Sequence, residues 1–149
     1  MRDTQKIIAY IWNVIGVAAS AVCTMLGGFD TALLMLVCVM GIDFAVGLIV
    51  AVCGKSPKSE SGAVSSSAAF RGLTKKLLML LVIMLCVCVD RITGADGICR
   101  LAGIGFYTAN EGISILENVA LLGVPFPQSV LEVLKTLKND KENDNKSGS

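Results

Sequence analysis

Long apolar runs broken by short charged punctuation dominate the chain, and they predict membrane-crossing helices. Four can be drawn, over residues 7–26, 31–52, 73–92 and 98–124. Each has the ~20 residues an α-helix needs to cross ~30 Å of hydrocarbon. The third has an uncharged core of only Leu77 to Val89, with Lys75 and Lys76 near one end to snorkel toward the interface and anchor it. The fourth differs from the rest. Between Tyr107 and Pro127 it carries Asn110, Glu111, Ser114, Glu117 and Asn118. At ~100° per residue these side chains and Tyr107 fall on about a third of the circumference, with Arg100 projecting onto the same arc. Ile113, Ile115, Leu116, Val119 and Leu122 lie off that arc, and Gly105, Ala109 and Gly112 cluster together.

A membrane helix with one polar face needs protein or water against it, since an acidic residue at mid-bilayer costs roughly 2.5–3.5 kcal/mol. The stripe admits three arrangements: a satisfied bundle interior, a water path between copies, or a helix lying flat at the interface. Asp43 sits near the middle of the second run. Gly47 and Ala51 follow it at intervals of four, a small-residue ridge suited to close helix packing.

The segment from Gly54 to Gly72 is rich in Ser, Gly and charge and reads as a loop. From Gln128 to Lys138 a short amphipathic helix is expected, with Val130, Leu134 and Leu137 on one side, before a polar tail. The expectation is therefore an all-α integral membrane protein with about four transmembrane helices, three spans plus an interfacial helix being the alternative. Residues 1–126 form the membrane domain, and 127–149 a cytoplasmic helix and tail.

Charge distribution sets orientation. Eleven basic residues (Arg2, Lys6, Lys55, Lys58, Arg71, Lys75, Lys76, Lys135, Lys138, Lys141, Lys146) fall on one side of this scheme, against Arg91 and Arg100 on the other. That asymmetry predicts both termini and the long loop in the cytoplasm. The basic, apolar start followed by Ala18-Ala19-Ser20-Ala21 also has the form of a signal peptide, although its apolar run is long for one. Asn13, Gly16, Ser20 and Thr24 form a small polar stripe that would equally suit an interfacial helix.

Composition narrows the chemistry. Hydrophobic residues make up 54% of the 149, and the net charge is +1 with no basic patch interleaved with aromatics, so nothing points to nucleic acid. Histidine is absent and the six cysteines form no C-x-x-C pair, so no metal set or cofactor is expected. No G-x-x-x-x-G-K-[ST] loop occurs, and Glu111 and Glu117 diverge by about 120° on a helix rather than converging as a catalytic pair. No catalytic residues, and no enzyme, are expected.

The run Tyr107, Ala109, Asn110, Glu111, Gly112, Ser114, Ile115, Leu116, Glu117, Asn118, then Gly123, Pro125 and Pro127, resembles the signature of the toxin-secretion and phage-lysis holins of Gram-positive bacteria and their phages. Phe70 to Lys76 (FRGLTKK) leading to Asp90, and Asp43 followed by Gly47, are similar to further family features, with Val46 where the family usually has Thr. The resemblance implies a protein of the bacterial cytoplasmic membrane that self-associates and, at a set moment, forms lesions through which an endolysin or a toxin passes. It implies the lipid bilayer, copies of itself and an endolysin or exported toxin as partners. In that setting Asp43, Tyr107, Asn110, Glu111, Ser114, Glu117 and Asn118 would line water or pair helices, and Gly47, Ala51, Gly105, Ala109 and Gly112 would supply close packing. A small ion or solute transporter and a non-conducting antiholin are the rival functions.

Overall fold

The computed structural model describes residues 2–56, 65–125, 127–133 and 136, and among them every regular element is helical. Four long helices follow in order: α1 (Arg2–Met25), α2 (Thr31–Val52), α3 (Ser66–Thr93) and α4 (Ile98–Leu121). A further helical stretch occupies 128–133. The rest of the expected C-terminal helix, with Leu134 and Leu137, and the polar tail lie outside the described residues.

α3 begins earlier than its apolar run suggested. Residues 66–72, expected as loop, form its first turns. Ser and Ala there break no helix, and charge at a helix end says where the bilayer stops rather than where the helix does.

Helix ends are set by local chemistry. Asp30 caps α2, its carboxylate accepting a hydrogen bond from the Leu33 N–H at 2.9 Å; this satisfies a donor that the helix itself leaves unpaired. α1 stops at Gly27, where φ of +83° lets the Gly28 N–H reach the Cys23 carbonyl and the Gly27 N–H the Thr24 carbonyl. That paired closure is a left-handed C-terminal motif in which a side chain would be strained.

α4 is the hub. It packs along both α2 and α3, whereas α2 and α3 touch each other only lightly. Polar contacts give the directions: the start of α4 meets the start of α2 and the end of α3, so α2 and α4 run parallel and α3 runs against them. A small core of Leu26, Leu33, Leu36, Met40, Met79, Ile83 and Ile104 holds the three together, with Tyr107 packed against it. Gly103 allows the close approach of α3. A Cβ there would lie 3.0 Å from Ile83 Cδ1 and 3.4 Å from Cys86 Sγ.

Among the described residues three helices are long and apolar enough to cross a membrane: Thr4–Met25, Thr31–Val52 and Ser66–Thr93. α4 has 24 residues, enough length for about 36 Å at 1.5 Å per residue, but its polar content keeps it out of that class. It is enclosed by α2 and α3 instead. α1 is the opposite case: none of its apolar stretch is buried, and Trp12 is 68% exposed. In water such a surface would aggregate, so α1 belongs in lipid or against other protein.

Candidate functional site: a charged cluster inside the helix bundle

The polar stripe of α4 divides when the chain folds. Glu111 and Asn118 turn fully inward, at 1% and 5% exposure, and meet Asp43 of α2 at 7%. Lys76 of α3 completes the group. Its ammonium donates hydrogen bonds to Asp43 Oδ2 at 2.8 Å and to Glu111 Oε2. Asn118 Nδ2 donates to the other Asp43 oxygen at 3.4 Å. One cation thus joins two carboxylates on different helices, and an amide steadies the arrangement. Gly47, one turn beyond Asp43, keeps the ridge low. A Cβ there would stand 3.7 Å from Asn118 Nδ2.

Lys76 therefore does not sit as a surface anchor beside Lys75. Lys75 is exposed, while the Lys76 side chain is only 11% exposed. Two carboxylates at its level of the bundle attract it inward, and an inward lysine keeps its stem among apolar neighbours. Tyr107, Asn110 and Ser114 are half-buried, and Glu117 faces outward. Of the expected packing residues Ala109 is buried, Gly47, Ala51 and Gly112 are half-buried, and Gly105 is exposed.

Above the cluster lies a cavity of about 110 Å³ between α2, α3 and α4, room for several water molecules. Its floor is Asp43, Lys76 and Glu111, with Ser114 on one wall. Ser56 and Ser65 also line it. Among the described residues no buried side-chain polar atom lacks a partner, so the cluster is satisfied within one chain. Interactions of this kind contribute little net stability against an apolar core, yet removing one partner alone costs about 3–5 kcal/mol.

A second charged group closes the other end of the bundle. Buried Asp90, in the last turn of α3, accepts hydrogen bonds from the Cys99 and Arg100 backbone N–H groups, both at 2.8 Å, at the start of α4. It serves as a cap supplied from another helix, where the helix dipole favours negative charge. Arg100 reaches back to the α1–α2 turn. Its guanidinium donates to the Leu26 carbonyl at 2.6 Å, to the Gly28 carbonyl at 3.1 Å and to both Asp30 oxygens at 2.6 and 3.0 Å. The Arg100 hydrogen bond, helped by the Leu33 N–H, lowers the Asp30 carboxyl from 3.8 to about 2. Reading the pattern alone missed Asp30. Its signal was there, a lone Asp directly before an apolar helical run.

The three helices long and apolar enough to span a membrane agree with the comparisons to known proteins. A profile of the bacteriophage holin family matches residues 20–139, the greater part of the chain. This chain belongs to the bacteriophage holin family. Among similar proteins, a probable holin of Bacillus phage phi105 is 36% identical over 101 residues, 68% of this chain and 70% of that one. An uncharacterized 14.9 kDa protein from the nagH 3′ region of Clostridium perfringens is 36% identical over 139 residues, 92% of this chain and 99% of its own length. The uncharacterized protein YqxH of Bacillus subtilis is 36% identical over 101 residues, 68% of this chain and 67% of that one. No solved structure matches the chain. The protein is thus a multi-pass membrane protein of holin type. The matched region starts within α1 and takes in both charged groups of the bundle.

Proposed function

We propose that this holin-family protein accumulates in the bacterial cytoplasmic membrane with both termini in the cytoplasm. There it self-associates and forms lesions that let an endolysin reach the cell wall or a toxin leave. The observation that carries this reading is the Asp43–Lys76–Glu111–Asn118 cluster: charged and amide groups buried between three helices and paired by side chains of the same chain. Side-chain partners can be exchanged for water without breaking any helix. In an assembly of many copies α4 turns so that Asn110, Glu111, Ser114, Glu117 and Asn118 face solvent, and Asp43 on α2 and Lys76 on α3 become hydrated in place. The exposed apolar surface of α1 meets neighbouring copies or lipid as the assembly grows. The name of the phi105 relative supports this reading.

The mechanism needs no covalent step. A dispersed molecule holds its charges in pairs, where the low surrounding dielectric makes separation costly. Once copies crowd together and water enters, hydration replaces the pairing and the wet state becomes self-sustaining. The cavity beside Lys76 has room for the water that starts that exchange.

The test is inducible expression in a bacterium that makes a cytoplasmic endolysin but lacks its own holin, followed by turbidity and entry of an impermeant dye. Abrupt clearing together with dye entry is expected. Selective ion flux without clearing would assign the chain to the transporters, and delay of a partner's lysis with no effect alone would make it an antiholin.

A further inference from the structure

Two cysteines meet where α3 and α4 come closest. Cys86 and Asp90 are one turn apart on the same face of α3, and Cys99 and Gly103 are one turn apart on α4. Asp90 is bonded to the Cys99 N–H, and Cys86 Sγ lies 3.4 Å from the place a Gly103 Cβ would take. These two contacts fix the register of the pair and place Cys86 and Cys99 at facing positions of the two helices. Both residues are half-buried, and neither forms part of the ionic cluster. The missing side chain at Gly103 lets the two backbones approach closely, as a short crosslink requires.

We propose that Cys86 and Cys99 are a redox site: they close into a disulfide that locks the α3–α4 hairpin. The oxidant is a disulfide-bearing molecule. One thiol, losing its proton, attacks a sulfur of the oxidant and releases one reduced thiol, leaving a mixed disulfide on the protein. The second cysteine, also deprotonated, attacks that bond, releases the second reduced thiol and forms the internal crosslink. Two protein thiols are oxidised and one external disulfide is reduced, so electrons and protons balance. Proximity favours the internal second step over reaction with another molecule. With the basic loop in the cytoplasm this end of the hairpin faces outward, where oxidants of this class persist. The consequence for release rests on the proposed holin function: a locked hairpin stops α4 from turning its polar face, so oxidation delays the lesion.

The experiment uses the full chain in membranes, with Cys23, Cys38, Cys53 and Cys88 replaced by alanine and dithiodipyridine as oxidant. Two thiopyridones per chain on oxidation with none left to be released by later reduction, loss of both maleimide-reactive thiols, a monomer on a non-reducing gel and full return of the thiols with reductant are expected. Adding Cys86→Ala must instead leave a single mixed adduct at Cys99. Stable mixed adducts at both positions, or crosslinked dimers, would overturn the proposal. In liposomes the oxidised protein should permeabilise several-fold more slowly than the reduced form, and equal rates would remove the lock. Silence of the reduced protein would count against the holin reading instead, while the absence of thiopyridone released on reduction still decides the crosslink.

Discussion

The two charged groups of the bundle are built from the same residue types and behave differently. At the turn end, Asp90 and Arg100 bond largely to backbone: N–H groups of α4, and carbonyls of the α1–α2 turn. Backbone groups at helix ends have no partner within their own helix, so the joint acts as a pin. At the loop end, Lys76, Asp43, Glu111 and Asn118 are joined to one another by side-chain bonds, beside a cavity. Those bonds can be traded for water while every helix stays intact. One end holds the hairpin together, and the other is the end that can open.

The comparison breaks most severely at Lys76. Lys76→Met leaves two buried carboxylates without their cation, and a loss of about 3–5 kcal/mol is expected. The protein should then fail to accumulate, as followed by membrane immunoblot and by thermal unfolding in detergent. Combining it with Asp43→Asn and Glu111→Gln should return most of that stability, because neutral partners remove the burial penalty. If the triple variant accumulates and still permeabilises on schedule, the exchange of ion pairs for water is not the trigger.

Next in size is the pin. Asp90→Ala removes two charge-assisted bonds from the start of α4 and should cost about 1–3 kcal/mol. Increased protease cleavage near residues 94–97 would report it. Gly27→Ala should cost about 1–2 kcal/mol. Its φ is +83°, and its Cβ would stand 2.8 Å from Arg100 Nε. A neutral result would mean that Arg100 can leave the turn freely, contrary to its role as a fixed contact.

Acid should reach the turn end only at low pH. Asp30 has a lowered carboxyl value, so its contribution is fully present above the unfolded value of 3.8 and is lost as pH falls through about 2. The Arg100–Asp30 contact should stay intact from neutrality down to about pH 4. Comparing melting of the wild type and of Asp30→Asn across that range should give a constant difference, which shrinks only at lower pH.

The smallest effect on stability belongs to Glu117, which is exposed. Glu117→Gln should change stability by less than about 0.5 kcal/mol. Lysis timing is where it should act if this carboxylate faces water in the assembled lesion. Unchanged timing as well as unchanged stability would take Glu117 out of the wet face.

Much of the architecture could be read from the chain, because hydrocarbon is an uncompromising solvent. Apolar runs of sufficient length must become helices there, and α1, α2 and α3 follow from that rule. The departure of α4 from it was equally legible in Asn110, Glu111, Ser114, Glu117 and Asn118. Helical periodicity places residues around one axis, but it does not say which part of an arc meets a neighbour. Glu111 and Asn118 went inside and Glu117 stayed out because α2 and α3 converge on only part of the stripe. Lys76 looked like an interfacial anchor because its partners are 33 and 35 residues away along the chain, on two other helices. Asp30 and Arg100, separated by 70 residues, were invisible as a pair for the same reason. Local pattern determined that this protein is helical, membrane-borne and polar along one element, since those properties depend on each residue's own solvation. Which charges found one another was left to the packing of helices, because electrostatic attraction acts between atoms close in space wherever they fall in the chain.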